Sequence, residues 1–247
     1  MTAAPHSDLV ESVLRPVRGH HAFEACVEQL GTAIRLGVYP RGSTLPPERE
    51  LASRLGVSRA TLREAMAALR ETGLVETRRG RGGGTVVTLR ATLPTRARSR
   101  RTAAQRTEQR AAWLDALDFR RIVEPGACAL AAGATLSEES RRALTTAAEA
   151  VANAHQPAAH RQADSRFHLT LASLTGSPRT IEAVTSVQAT LHEMLSAIPV
   201  LEANIAHSDR QHARIVRAVL GERPGDARRV MEQHCDDTAA LLRGLVG

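Results

Sequence analysis

Residues 45–75, LPPERELASRLGVSRATLREAMAALRETGLV, read as two short helices joined by a tight turn and closed by a stop. Pro46-Pro47 is a start signal, because proline is tolerated in a first helical turn, where its missing N–H costs nothing. Gly56 ends the first helix and Val57 supplies an apolar anchor for the turn. Ser58 stands where an N-cap oxygen satisfies free amides of the second helix. In that helix Leu62, Met66 and Leu69 make an inward stripe, Arg59, Arg63 and Arg70 point elsewhere, and Gly73 closes it. A helix that opens with Ser58, Arg59, Thr61 and Arg63 brings donors and positive charge to a major groove.

Upstream, Phe23, Val27, Leu30 and Ile34 recur at three and four residues, which predicts an amphipathic helix over 20–36. GVYPRGSTL follows as a turn. Downstream, LVETRRGRGGGTVVTL predicts strands over 74–77 and 85–89 around a glycine-rich arginine loop, a β-hairpin wing. Residues 19–90 are thus a winged helix-turn-helix of three helices and a wing. Residues 1–18 show no periodicity and are expected to be a flexible tail.

Residues 91–110 are poor in apolar side chains and rich in Arg, as a basic linker is; a solvated connector and an extra phosphate-binding arm both account for them. From 111 to 247 only helical stripes occur. The first opens at Trp113, Leu114 and Leu117 and stops near Gly133, and Ser137 starts the second. The third runs about 159–174. Ile181 to Leu195 stripe a fourth, Ile205 to Val219 a fifth, and Pro224 starts a sixth. The fold class is therefore mainly α: the winged domain, then an all-α antiparallel bundle of about six helices.

Polar residues recur on the inward stripes of this bundle. Asp164 and His168 are four apart on one helix face, His212 lies on the fifth stripe, and His234 lies on the sixth. Left unpaired, each buried polar group costs about 1–3 kcal/mol, and a charge costs more. A divalent metal would satisfy all four, and one carboxylate with three imidazoles suits zinc, nickel or manganese. The ordinary alternative is a set of core histidines satisfied separately. His155, His160, His192 and His207 follow no such pattern and are expected at the surface or in packing. Arg120 and Glu124, four apart, form either an ion pair or, if Arg120 faces the cavity, a fork for an organic carboxylate.

Composition narrows the function classes. Aromatics are 2% of the 247 residues, which favours aliphatic helical cores over sandwiches and barrels. The net charge of +7 is split: residues 1–110 hold 19 Arg against 10 acids (+9), and residues 111–247 hold 14 against 16 (−2). The basic, partner-seeking half is the first. Cys26, Cys128 and Cys235 have no CxxC spacing and suit a reduced compartment. No signal peptide or membrane span is evident, so a cytoplasmic protein is expected. A metal-dependent hydrolase or isomerase is the competing class, but no general-base motif, nucleophile arrangement or phosphate loop accompanies the ligands. GRGGG lacks the Lys-Ser/Thr of a P-loop. A purely structural metal is a third reading.

Residues 21–89, above all YPRGSTLPPERELASRLGVSRATLREAMAALRETGLVETRRGRGGGTVV, resemble the GntR family of bacterial winged-helix regulators. The second domain resembles the FCD effector domain of the FadR-type branch, through R120-x-x-V-E124, D164-x-x-F-H168, H212-A-R-I and A227-x-x-x-M-x-x-H234. The resemblance implies DNA contacts at Arg49, Ser58, Arg59, Thr61, Arg63, Arg79 and Gly80, the last two reaching a minor groove. It implies metal ligands at Asp164, His168, His212 and His234, the four residues that the stripes single out. Retention of all four implies a small organic acid as effector in place of a long acyl chain. Two departures stand out: Ser177 where the family often has Asn, and Glu222-Arg223 where Gly-Asp is common.

The expected protein is a regulator without enzymatic activity, a homodimeric repressor reading palindromic half-sites of double-stranded DNA. Its residues 111–247 bind metal and a small carboxylate, with Arg120 at the effector, and dimerise. A single winged domain makes too few base contacts for useful affinity, so two copies are required.

Overall fold

The computed structural model describes residues 9, 13–17, 22–78, 84–89, 102–197 and 202–246. They belong to two compact units, Met1–Thr102 and Ala103–Gly247.

In the first unit, α1 (Ala22–Arg35), α2 (Glu48–Leu55) and α3 (Arg59–Glu71) precede an antiparallel hairpin of β1 (Val75–Arg78) and β2 (Gly84–Val87). The turn chemistry is as expected from the sequence. Gly56 caps α2 in the left-handed region at φ +65°, with its N–H directed at the carbonyls of Ala52 and Ser53. The Ser58 hydroxyl accepts the backbone N–H of Thr61 at 3.0 Å and so caps α3. Leu51, Leu55, Leu62, Met66 and Leu69 are buried almost completely. On α1 the buried face is Cys26, Leu30, Ala33 and Ile34, while Phe23, expected to point inward, is 37% exposed.

The wing pairs Val75 with Val87 and Arg78 with Gly84. Residues 43–45, expected to be turn, add a third layer: the Leu45 N–H donates to the Thr85 carbonyl at 2.8 Å and the Val87 N–H to the Ser43 carbonyl at 2.9 Å. That approach is close enough that a Cβ on Gly84 would meet Thr44 Cγ2 at 2.8 Å. A second correction concerns the tail. Leu9, Val13 and Leu14 are buried, and the Val17 N–H donates to the Leu55 carbonyl at 2.7 Å, so the described part of 1–18 is packed. The three apolar residues have helical spacing that the surrounding Pro, His and Arg obscure.

The second unit consists of α4 (Ala103–Gly133), α5 (Glu138–Ala152), α6 (Pro157–Ser173), α7 (Pro178–Ala197), α8 (Glu202–Leu220) and α9 (Pro224–Val246). The six expected helices are present, but α4 begins at Ala103, inside the expected linker. AAQRTEQR has no apolar stripe, yet it contains only good or neutral helix formers and no Gly or Pro, so it extends a helix that is packed further on. The arginine-rich residues 90–101 lie outside the described residues. Pro125, inside α4, removes the amide that would bond to the Arg121 carbonyl. Ser137 and Ser177 cap α5 and α7 by accepting from Ser140 and Thr180. The main core gathers Cys128, Leu144, Val151, Phe167, Leu171 and Ile215 with their neighbours, and a smaller cluster holds Leu117, Leu191, Met194 and Leu242. No described helix is long and apolar enough to cross a membrane.

Candidate metal centre and nucleic-acid interface

Between these clusters the bundle buries a group of polar side chains. His168 on α6, His212 on α8 and His234 on α9 each offer a ring nitrogen, and these atoms lie within 4.8 Å of one another. The three residues are 1–2% exposed. The His168 and His234 rings are stacked with centroids 5.2 Å apart, and the His212 and His234 centroids are 4.8 Å apart. Asp164, one turn before His168, places Oδ1 3.4 Å from His212 Nε2, although it falls outside the three-histidine group. Two donors at about 2.1 Å from one ion stand ~3.0–3.4 Å apart at right-angled or tetrahedral positions, so this pair suits a shared ion.

The surroundings orient the rings. His234 Nδ1 stands 3.1 Å from Gln211 Oε1, and the Gln211 amide is itself fixed by donating to Asp237 Oδ2 at 2.7 Å. His234 therefore carries its proton on Nδ1 and turns the Nε2 lone pair to the cavity. His168 Nδ1 stands 3.0 Å from Glu124 Oε2, at hydrogen-bond distance though off its best line, and its Nε2 faces Arg120 Nη2 at 3.5 Å. Both neighbours favour a proton on Nδ1 there too. Burial, opposed by Asp164, pushes His212 down to about 3, and burial and then His212 lower His234 strongly. Both imidazoles are thus held in the neutral form that a metal requires. His212 Nδ1 is buried with no hydrogen-bond partner among the described residues. The donor set and the neutral state of His212 and His234 fit a divalent ion, which the three histidines would hold with Asp164 beside His212 Nε2. Such an ion supplies an electrophilic point for a carboxylate oxygen.

Arg120 and Glu124, expected as an ion pair or as a fork facing the cavity, are a fully buried pair beside it. Arg120 Nε donates to Glu124 Oε2 at 3.0 Å, and the side chains are 1% and 2% exposed. Gln188 Nε2 donates to Glu124 Oε1 at 2.6 Å. Burial alone would raise Glu124, but Arg120 and then His168 hold it well below the usual carboxylate range. Arg120 Nη1 is left buried without an acceptor. Sequence reasoning missed Gln188, Gln211 and Asp237, whose amides and carboxylate carry no periodic or motif signal. Of the remaining histidines, His160 is buried beside Asp209 and His207 is exposed beside Asp237.

On the first unit the expected DNA contacts are at the surface. Arg49 and Arg59 are exposed and have no hydrogen-bond or ion-pair partner among the described residues. The hydroxyls of Ser58 and Thr61 face each other at 2.9 Å, and Arg63 Nε donates to Glu48 Oε2 at 2.8 Å, linking α2 to α3. No acid occupies the first turn of α3, so the positive helix end and Arg59 add to one another. Arg79 and Gly80 lie outside the described residues. The departures from the resemblance are local: Ser177 caps α7, and Glu222 takes φ +55°, a conformation suited to the Gly often found there.

A winged helix-turn-helix joined in one chain to a helical domain with a buried polar cluster defines a class: DNA-binding transcription regulators with a second, all-helical domain. The family model for "Bacterial regulatory proteins, gntR family" matches residues 23–87, and that for "FCD domain" matches 115–237. A putative transcriptional regulator, RmpR of Mycobacterium gastri, is 34% identical over 221 residues, covering 85% of this chain and 76% of the relative. The Glc operon transcriptional activator of Escherichia coli K12 is 31% identical, covering 85% of each chain. The transcriptional repressor NanR of Klebsiella aerogenes is 29% identical, covering 94% of this chain and 89% of the relative. The solved structure "E. coli McbR/YncC" shares the fold at a TM-score of 0.51 and 16% identity, covering 92% of this chain and 99% of that one. The chain belongs to the GntR family, in its FadR-like branch with an FCD domain, a family of transcription regulators and not of enzymes.

Proposed function

We propose that this regulator is a homodimeric repressor whose helical domain holds a divalent metal (zinc, nickel or manganese) and releases DNA when a small organic acid binds. The observation that carries the reading is the buried juxtaposition of three histidines, whose ring nitrogens lie within 4.8 Å of one another, with Arg120, whose Nη1 is a cationic donor without an acceptor. His168, His212 and His234 with Asp164 hold the metal. A ligand carboxylate then completes the ion's coordination and accepts from Arg120, whose fork suits it. An apolar acyl chain would leave both unsatisfied.

On the DNA side, Arg59, Thr61 and Arg63 from α3 read the major groove, Arg49 and the Ser58 end of α3 meet phosphates, and Arg79 and Gly80 reach the minor groove. Two half-sites require two copies. The exposed Phe119, Ile122 and Leu130 fall on one stripe of α4 and supply an apolar face that a second copy would cover. Relatives of similar identity include an activator and a repressor by name, so fold alone does not set the sign of control. Repression follows if acid binding favours a dimer in which the recognition helices no longer match the half-site spacing.

Elemental analysis of the purified protein and of a His212→Ala/His234→Ala variant tests the centre. Stoichiometric metal in the first and none in the second is expected, and full retention in the variant would refute it. Organic acids are then screened for release of metal-loaded protein from DNA of its own upstream region, and indifference to every acid would overturn the sensing role.

A further inference from the structure

Away from the metal cavity, the end of α8 and the start of α9 enclose a cleft of about 400 Å³. Its charged lining is Arg214, Arg217, Arg223, Arg229 and one acid, Asp226. Four guanidiniums against one carboxylate give a local charge of +3, within a stretch, 111–247, whose 14 arginines are outnumbered by 16 acids. Arg217, in the last turn of α8, is favoured by the helix end, but like charges three residues apart, as Arg214 and Arg217 are, repel, so helix stability does not account for the pair.

The acids nearby are already engaged. Asp226 Oδ1 accepts from Arg229 Nη2 at 2.6 Å, and its Oδ2 lies 3.6 Å from Arg223 Nη1. Glu222 is drawn away toward α5, where its Oε1 accepts from Arg141 Nη2 at 2.7 Å. Arg223 Nη2 donates to the Arg217 carbonyl at 3.1 Å, which fixes its guanidinium close to Arg217. Arg214 and Arg217 are exposed and have no side-chain hydrogen-bond or ion-pair partner among the described residues.

We propose that this cleft is a second ligand site, which binds a small phosphorylated anion carrying at least two phosphate groups. Planar guanidinium forks match phosphate oxygens pairwise, and the three terminal oxygens of one phosphate are satisfied by about two forks. Four forks therefore call for two phosphates. The free pair, Arg214 and Arg217, takes one, and the pair held by Asp226 takes the other. The volume is that of a small-molecule site, and a lone orthophosphate would leave half the charge unanswered. Because the arginines are at the surface, binding is sensitive to salt.

Inorganic pyrophosphate titrated calorimetrically into the full chain at fixed ionic strength tests the proposal. Saturable binding of one pyrophosphate per chain is expected, with orthophosphate at least about tenfold weaker. Arg214→Ala/Arg217→Ala should weaken pyrophosphate at least about tenfold while leaving metal content and Trp113 fluorescence unchanged. The His212→Ala/His234→Ala variant should still bind pyrophosphate, which separates the cleft from any metal-bound pyrophosphate. Absence of saturable binding, equal affinity for orthophosphate, or full affinity in the arginine variant would overturn the proposal. So would an arginine variant that loses DNA affinity when the unaltered chain takes up no pyrophosphate, since the four arginines would then serve nucleic acid.

Discussion

The two units solve opposite problems with the same side chains. In the first unit Arg49, Arg59 and Arg63 are exposed, and Thr88 and Tyr39 are the buried residues with a hydroxyl among the described residues. In the bundle Arg120, Glu124, Asp164, His168, His212 and His234 are all buried. A partner as large as DNA brings its own desolvation when it docks, so waiting donors cost nothing in the free protein. A small ligand has to find its polar contacts already withdrawn from water, and here neighbours satisfy most of them while Arg120 Nη1 is left without an acceptor. The first unit is therefore expected to lose binding when an arginine is truncated, and the second to lose stability.

Acid should separate the two most widely. His212 and His234 are pushed below their ordinary 6.5, and Glu124 below its ordinary 4.5, so the unfolded chain binds protons more readily at all three. Stability present at neutral pH is then lost as pH falls, through His212 between about 6.5 and about 3, through His234 below 6.5 and through Glu124 below 4.5. Among the described residues of the first unit the shifted groups are Cys26 and Tyr39, both raised by burial, and they titrate on the alkaline side. The chain has one Trp, on α4 of the bundle, and one Tyr, buried in the first unit. In metal-free protein taken from pH 7 to 3, Trp113 fluorescence should change before the Tyr39 signal; simultaneous loss would break the comparison.

Next in size is Glu124→Ala, which strands Arg120 as a buried charge and should lower the unfolding free energy by about 3–5 kcal/mol in urea titrations followed at Trp113. The matching change in the first unit, Arg63→Ala, removes an exposed pair with Glu48 and should cost less than about 1 kcal/mol. A loss below about 1 kcal/mol in Glu124→Ala would mean that water reaches Arg120. Arg59→Ala should cost about 1–3 kcal/mol of specific operator affinity per half-site, with stability unchanged to within ~0.5 kcal/mol. Unaltered sequence preference at controlled salt would remove Arg59 from the reading surface. The smallest effect is expected from Glu222→Gly. Relief of a left-handed conformation, about 1–2 kcal/mol, is offset by loss of the surface pair with Arg141, leaving a gain of about 1 kcal/mol or less in thermal unfolding.

Legibility in the sequence also differed between the units. Residues 49–63 hold most of the proposed DNA contacts within four helical turns, and their caps, Gly56 and Ser58, are local features with known chemistry. The bundle histidines were visible only as anomalies on apolar stripes. What holds them was not: Glu124 meets Gln188 from 64 residues away, and Gln211 meets His234 across 23. The expected tail and the start of α4 failed for a related reason. Leu9, Val13 and Leu14 acquire meaning only against Leu55 and its neighbours, and the first turns of α4 are carried by packing further along.

By itself the sequence determined the order and type of the elements, the turn that aims α3, and which faces are apolar, because periodicity, caps and charge are properties of a few neighbouring residues. Tertiary structure alone decided that Arg120 and Glu124 are buried together, that Gln211 and Asp237 orient His234, and that four surface arginines of α8, α9 and the turn between them converge on one cleft. Those outcomes depend on which helix faces meet, and helix–helix packing is fixed by the fit of all the side chains between them, which no single stretch of chain contains.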